Sequence, residues 1–173
     1  MSDHLIDIVD ENNVPTDEQL PRSVVHERKL WHRGAIVYLF RNTDSDIEIL
    51  IHHRSTTKDV SPDKLAPGFG GHVEAGETYD EAIIEELQEE LGLKLTLSEL
   101  TKGSITKENV SHEFFQHYFL EYNEKLGKIK PEPNEIQSTE WMSQKDIIES
   151  IEQTPEKWTR TSVNLVNIIK SIN

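Results

Sequence analysis

Apolar residues gather along this chain in blocks of strand length, separated by polar turns, with one helical stripe at the end. Leu5 to Val9 predicts a short strand stopped by the turn-like Asp10, Glu11, Asn12 and Asn13. Gly34 to Phe40 is a continuous apolar run, and Ile47 to His52 is another. The polar Asn42, Thr43, Asp44 and Ser45 between them predict a hairpin. Glu113 to Tyr122 is aromatic and long enough for a strand, and Ile136 to Met142 predicts a last one. Leu165, Ile168, Ile169 and Ile172 fall on one helical stripe, and Ser143 can cap a helix beginning near Gln144. There is no internal repeat and no low-complexity tract.

Between these blocks lies GHVEAGETYDEAIIEELQEELGL, from Gly71 to Leu93. Thr78 and Glu81 form a capping-box pattern, so a helix starts there. Within it Glu86, Glu89 and Glu90 share one face, since residues three and four apart are neighbours. Carboxylates so placed repel unless a cation is held between them, and hard oxygen ligands suit Mg²⁺ or Mn²⁺. The plain alternative is a solvated acidic helix face.

At 173 residues the chain fits a single domain, 1–173, with room for a real core. A net charge of −14 argues against nonspecific nucleic-acid binding and against an anionic membrane surface. A small phosphorylated ligand is therefore expected to arrive with its metal. The chain has no cysteine, which excludes disulfides and thiol catalysis. With no signal-like opening and no apolar run near the roughly 20 residues of a membrane span, the expected location is the cytoplasm.

Gly71, five residues, Glu77, seven residues, then Glu85, Glu86, Leu87, Gln88, Glu89, Glu90, Leu91, Gly92 and Leu93 resembles the Nudix box, here residues 71–93. One fixed position departs: Glu85 stands where that family carries an arginine, which is taken to pair with the box carboxylates and orient them. The resemblance implies an α/β (α+β) Nudix fold, a mixed β-sheet sandwiched between α-helices, with the box forming a loop, helix and loop that bind metal and a diphosphate. An extra carboxylate at Glu85 is expected to raise the pKa of one member of the cluster in the absence of metal. It also predicts a stronger dependence on metal concentration, a cation supplied from elsewhere, or weakened turnover.

IDIVDENNVPT, VVHERKLWHRGAIVYLF, HHRSTTKDVSPDKLAPGFGGHV and NEIQSTEWMSQKDI together resemble the Nudix branch that contains isopentenyl diphosphate isomerase. By position His26, His32, His72 and Glu113 match metal ligands of that isomerase, while Ser111 replaces a further glutamate. The implied second metal site suits Mn²⁺ or Zn²⁺, and its alternative is a set of histidines that hydrogen-bond the surrounding loops. Gly70 occupies the position of the isomerase's proton-transferring cysteine, and Glu86 that of a phosphate-contacting arginine. Both changes point to hydrolysis. Arg54 and Lys58 match phosphate-contacting positions and suit a diphosphate clamp, against the alternative of a solvated turn. Trp31, Trp141 and Trp158 could stack on a nucleobase, although such residues are more often core.

The resulting expectation is a metal-dependent hydrolase of a diphosphate linkage in a nucleoside diphosphate derivative or similar small phosphorylated metabolite. Glu86, Glu89, Glu90 and the Gly70 carbonyl hold Mg²⁺ or Mn²⁺; Glu86, Glu113 or Glu135 serves as the base that deprotonates water; Glu77 completes the loop. The partner is a small-molecule substrate, with homodimerisation left open. A noncatalytic diphosphate-binding module is the alternative, and the missing cysteine disfavours an isomerase.

Overall fold

In the computed structural model, which describes residues 3–44 and 46–172, a mixed sheet lies between helices, as the resemblance implies. Ser45 of the expected turn lies outside the described residues. A small antiparallel ribbon opens the chain, with β1 (Leu5–Val9) paired to β2 (Pro15–Pro21), followed by α1 (Arg22–Arg28). The main sheet contains β3 (His32–Asn42), β4 (Ile47–Arg54), β5 (Leu65–Ala66), β6 (Phe69–His72), β7 (Thr101–Glu108), β8 (Glu113–Glu121) and β9 (Ile136–Ser143). Its path runs β5-β4-β3-β8-β7, with β6 added on β3 and β9 on β4.

The continuous apolar character of β3 follows from burial on both faces. Ala35, Val37 and Leu39 pack with Ile83, Leu87 and Leu91 of α2 (Tyr79–Leu91). Tyr38, with Ile49 and Ile51 of β4, packs on the other face against α3 (Gln144–Gln153) and the C-terminal helices. The expected hairpin is confined to its turn: β3 and β4 pair only from Phe40↔Ile49 to Asn42↔Ile47. Upstream, β3 gives that edge to β6 between Gly34↔His72 and Val37↔Phe69, which brings the box against the sheet. On its other edge β3 runs parallel to β8, placing His32 beside Glu113.

The caps are those the sequence predicts. The Thr78 hydroxyl accepts the Glu81 N–H at 3.3 Å while Glu81 accepts the Thr78 N–H at 2.9 Å. Ser143 accepts from Asp146 N–H at 3.0 Å. The tail is two short helices, α4 (Arg160–Asn164) and α5 (Val166–Lys170), broken at Leu165. Ile169 and Ile172 are buried on the α3 side as the stripe predicts. Among the described residues, no helix is long and apolar enough to cross a membrane.

Burial in β8 also sets a pH response. His117 is wholly buried, its Nε2 2.8 Å from Thr106 Oγ1 and its Nδ1 3.3 Å from the Tyr38 hydroxyl. Desolvation pushes its pKa down to about 4. A histidine whose pKa is depressed in the fold supports folding fully above its unfolded value near 6.5, and that support is lost as pH falls towards 4. The stability gap between wild type and His117→Gln is therefore expected to shrink by roughly 3 kcal/mol from pH 7 to pH 4.5, at about 1.4 kcal/mol per pH unit. Urea titrations of both proteins at several pH values measure this, and other titrating groups largely cancel in the difference. A gap that stays constant across that range would contradict a neutral buried imidazole.

Candidate metal and diphosphate site

Close packing of β6 on β3 fixes the glycine turn above α2. Gly70 has φ +139°, and a Cβ there would collide with the Ala35 carbonyl oxygen. Its N–H donates to Glu90 Oε2 at 3.1 Å, so the buried Glu90 carboxylate is tied directly to the turn. A Cβ on Gly71 would collide with the carboxylate of Glu86, which lies folded over that backbone. Glu89 is on the same helix face but exposed. Glu77 accepts the Glu74 N–H at 2.9 Å and so closes the loop ahead of the helix.

The surroundings of these carboxylates disfavour their ionised form. Burial, then the neighbouring Glu90 and Glu89, pushes the Glu86 carboxyl up to about 8. The rise expected from Glu85 is present, but Glu85 is its smallest contributor. Burial also raises Glu90, which the positive charges of Lys58 and Arg54 and the Gly70 N–H pull partly back. Glu85 itself is exposed, and it sits close enough to Glu77 to add to the burial-driven rise there. The positive charge that the box lacks thus reaches Glu86 and Glu90 from the segment after β4.

A cleft of about 960 Å³ runs past this cluster. Arg54 and Lys58 line it, but their side chains are already engaged. Arg54 donates from Nε to the Ser61 carbonyl at 3.2 Å and from Nη2 to the Val60 carbonyl at 3.0 Å. Lys58 is ion-paired with Glu135, which lines the same cleft. A bidentate fork from Arg54 is therefore partly spent on holding its own loop. Arg22 also lines the cleft, paired with Asp59 at 2.9 Å. Nothing in the sequence marks Arg22, because the polar β2 and the α1 start that carry it lack a readable hydrophobic period.

A second cluster adjoins the first. The ring nitrogens of His26, His32 and His72 lie within 4.8 Å of one another. His26 Nε2 and His72 Nε2 are 2.9 Å apart, and His32 Nδ1 is 2.8 Å from the Leu30 carbonyl. That contact fixes the ring and leaves Nε2 of His32, 1% exposed, aimed at the cluster without an aligned hydrogen-bond partner. Glu113 Oε1 lies 3.4 Å from His32 Nε2 and 3.5 Å from His72 Nε2. Burial pushes Glu113 up, yet the two histidines more than offset it and hold the carboxyl below its ordinary range. Burial, with His72 next, lowers His26 to about 4, and burial lowers His72 as well. Three converging imidazoles, one with an orphaned buried nitrogen, are a donor set suited to a transition-type cation. Ser111 instead donates its N–H and hydroxyl to Glu108, each at 2.7 Å.

None of the tryptophans lines the cleft, which removes them as stacking platforms there. Trp158 is buried with Nε1 donating to Ser150 Oγ at 3.1 Å. Trp141 packs under the Arg41 guanidinium at 4.4 Å and Trp31 under the Lys107 ammonium at 4.5 Å.

A glycine-bounded loop feeding a capped, glutamate-rich helix on a mixed sheet defines a Nudix protein. The NUDIX domain profile matches residues 30–162, and the chain belongs to that family. It is 38% identical over 91 residues to the uncharacterized Nudix hydrolase SCO1686 of Streptomyces coelicolor, covering 53% of this chain. Over 152 residues it is 33% identical to the uncharacterized Nudix hydrolase orf19 of Rhodococcus erythropolis, covering 84% of this chain and 80% of that one. An isopentenyl-diphosphate Delta-isomerase of Ruegeria pomeroyi is 24% identical over 155 residues, 87% of this chain and 82% of the relative, consistent with the branch resemblance. The match spans only about half the length of some curated relatives, 48% of SCO1686 and 51% of PA4841 from Pseudomonas aeruginosa. In fold it is similar to DR0079 of Deinococcus radiodurans, with a TM-score of 0.74, 24% identity and coverage of 95% and 98% of the two chains. A Nudix domain of Shewanella oneidensis NrtR, TM-score 0.59 at 10% identity over 81% of this chain and 86% of that one, was crystallised with ADP-ribose.

Proposed function

We propose that this protein is a metal-dependent hydrolase that cleaves a diphosphate linkage in a nucleoside diphosphate derivative or a similar small phosphorylated metabolite. The observation that carries the reading is the Glu86 carboxylate folded over Gly71 beside the buried Glu90, in a cleft that Arg54 and Lys58 also line. A cation relieves the cost of ionising such a cluster, and its oxygens suit Mg²⁺ or Mn²⁺. Glu86, Glu89 and Glu90, with the Gly70 carbonyl, are the ligands in this reading. His26, His32, His72 and Glu113 form a second site, supported by the unsatisfied nitrogen of His32. Bound metal supplies charge neutralisation at the phosphoryl oxygens and a more acidic water.

The chain's own groups do the rest. Lys58, with what remains of the Arg54 fork, orients the diphosphate by charge and hydrogen bonding. The proton of the attacking water passes to a carboxylate, for which Glu86, Glu113 and Glu135 all border the cleft. The turn made by Glu77, Gly70 and Gly71 holds the helix face at a fixed distance from the sheet.

The test is to incubate the purified protein with Mg²⁺ or Mn²⁺ and a panel of nucleoside diphosphates and triphosphates, nucleotide sugars, ADP-ribose, dinucleotide cofactors and prenyl diphosphates. Products are separated by chromatography, with Glu89→Gln as control. Cleavage by the wild type, reduced at least about tenfold in the variant, is the expected result. Glu85 beside Glu77 favours a second reading, a binding module without turnover. Binding of the same ligands with no product across the panel would establish it.

A further inference from the structure

Three of the cations that line the cleft are held in different ways. Arg22 is paired with Asp59, and Arg54 is anchored to two carbonyls of its own loop. Lys58 pairs with Glu135, which belongs to the segment just before β9. The two segments are also joined by backbone: Ser55 N–H donates to the Glu135 carbonyl at 2.9 Å, and the Thr57 hydroxyl to the Asn134 carbonyl at 3.4 Å. Lys58 therefore sits opposite Glu135 whatever its ammonium contacts. Its charge is felt by both Glu86 and Glu90, so it lies beside the metal-ligand cluster as well.

The Lys58–Glu135 pair is not sealed in, with side chains 15% and 25% exposed. Glu135 offers Lys58 a single negative charge, whereas a diphosphate brings more charge and more acceptor oxygens. We propose that Glu135 is a built-in competitor for the substrate's diphosphate: it holds Lys58 in the free protein and surrenders it to the incoming ligand, leaving its own carboxylate free at the cleft wall. The inference rests on the reading above only in placing a diphosphate near Lys58.

The exchange has two consequences. Ligands too weakly charged to outcompete a carboxylate, such as a phosphodiester carrying one negative charge, are selected against. The Glu135 carboxylate is stripped of its counter-charge only when the cleft is occupied, and the backbone ties keep it near the ligand without movement of either segment. Glu135 thus couples occupancy to the appearance of an unpaired carboxylate beside the diphosphate.

Imidodiphosphate, whose nitrogen bridge resists hydrolysis, isolates binding from turnover. Calorimetric titration in Mn²⁺ compares wild type, Glu135→Gln, Lys58→Met and the double variant, with Glu135→Ala as a second removal of the competitor should the amide find a new partner. The expected result is roughly fivefold tighter binding in both Glu135 variants, the upper end for a partly exposed pair. Lys58→Met should bind more weakly, and Glu135→Gln should add nothing on that background. Unchanged or weaker binding in both Glu135 variants, with a wild type that binds and turns over substrate, overturns the exchange and leaves the hydrolase standing. The expected pattern in a protein that cleaves nothing supports the exchange and removes the hydrolase. A wild type that binds no imidodiphosphate overturns the exchange, while cleavage across the panel still decides the hydrolase.

Discussion

At pH 8, Glu86→Gln is expected to stabilise the metal-free protein while lowering turnover by at least about a hundredfold, the scale on which loss of one preorganised charge-stabilising group is felt. The opposed effects share one cause. Burial and the adjacent Glu90 and Glu89 hold the Glu86 carboxyl at about 8, well above its ordinary value of 4.5. A carboxyl raised in this way favours the folded state at low pH and penalises it progressively as pH climbs from 4.5 to 8. Near pH 8 that penalty is on the order of a few kcal/mol, given about 1.4 kcal/mol per unit. A neutral glutamine escapes it, which corresponds to a rise of about 5–10 °C in melting temperature for a chain of this size. Divalent cation should recover the lost stability in wild type, because it binds the ionised cluster of the folded state alone, and should do so less in the variant. Melting curves at pH 6 and pH 8, with and without Mn²⁺, read all of this. The gain in the variant should be smaller at pH 6. Equal melting of the two metal-free proteins at pH 8, with equal responses to Mn²⁺, would show that the cation is not held at Glu86.

What the sequence made legible was whatever burial writes as a period. β3 is readable because Ala35, Val37 and Leu39 face α2 while Tyr38 faces the opposite helices, so its run from Gly34 to Phe40 is apolar throughout. α2 is readable twice over, from its cap and from the spacing of Glu86, Glu89 and Glu90. β2 and β7 are not, since PTDEQLP and TKGSITKE are mostly exposed and held by backbone pairing, which leaves no hydrophobic trace. The break at Leu165 was equally invisible, because the stripe of Leu165, Ile168, Ile169 and Ile172 continues through it.

The site divides along the same line. Helical spacing puts three glutamates on one face, but it does not say that Glu90 turns inward to the Gly70 N–H while Glu89 remains in solvent. The histidine cluster draws on α1, β3 and β6, with Glu113 from β8, and no local spacing relates those elements. Only the family resemblance brought residues 26, 32, 72 and 113 together. Arg54 shows the reverse failure. Its residue type suggests a phosphate fork, and only the fold reveals that part of the guanidinium holds Val60 and Ser61. The positive charge that acts on the box carboxylates likewise comes from outside the box, from Lys58 and Arg54 on Glu90 and from Lys58 on Glu86.

Gly70→Cys, the substitution that would restore the isomerase's thiol, is expected to destabilise the fold by roughly 3 kcal/mol or more and to yield no isomerase. The backbone at Gly70 has φ +139°, a conformation that side chains rarely adopt, and any Cβ would run into the Ala35 carbonyl oxygen in the β3–β6 pairing. Relieving that collision means lifting β6 from β3, which also withdraws the N–H from buried Glu90. Gly71→Ala supplies the contrast. There the new methyl meets the carboxylate of Glu86, the end of a flexible side chain that can swing away. Its stability cost should stay near 1 kcal/mol, whereas turnover should fall because Glu86 is displaced. Urea midpoints separate the first effect and assays on the substrate found in the panel separate the second. A Gly70→Cys protein as stable as wild type would show that this backbone tolerates the thiol. The expected failure means instead that this chain cannot take a thiol at residue 70 without a change in the path of β6.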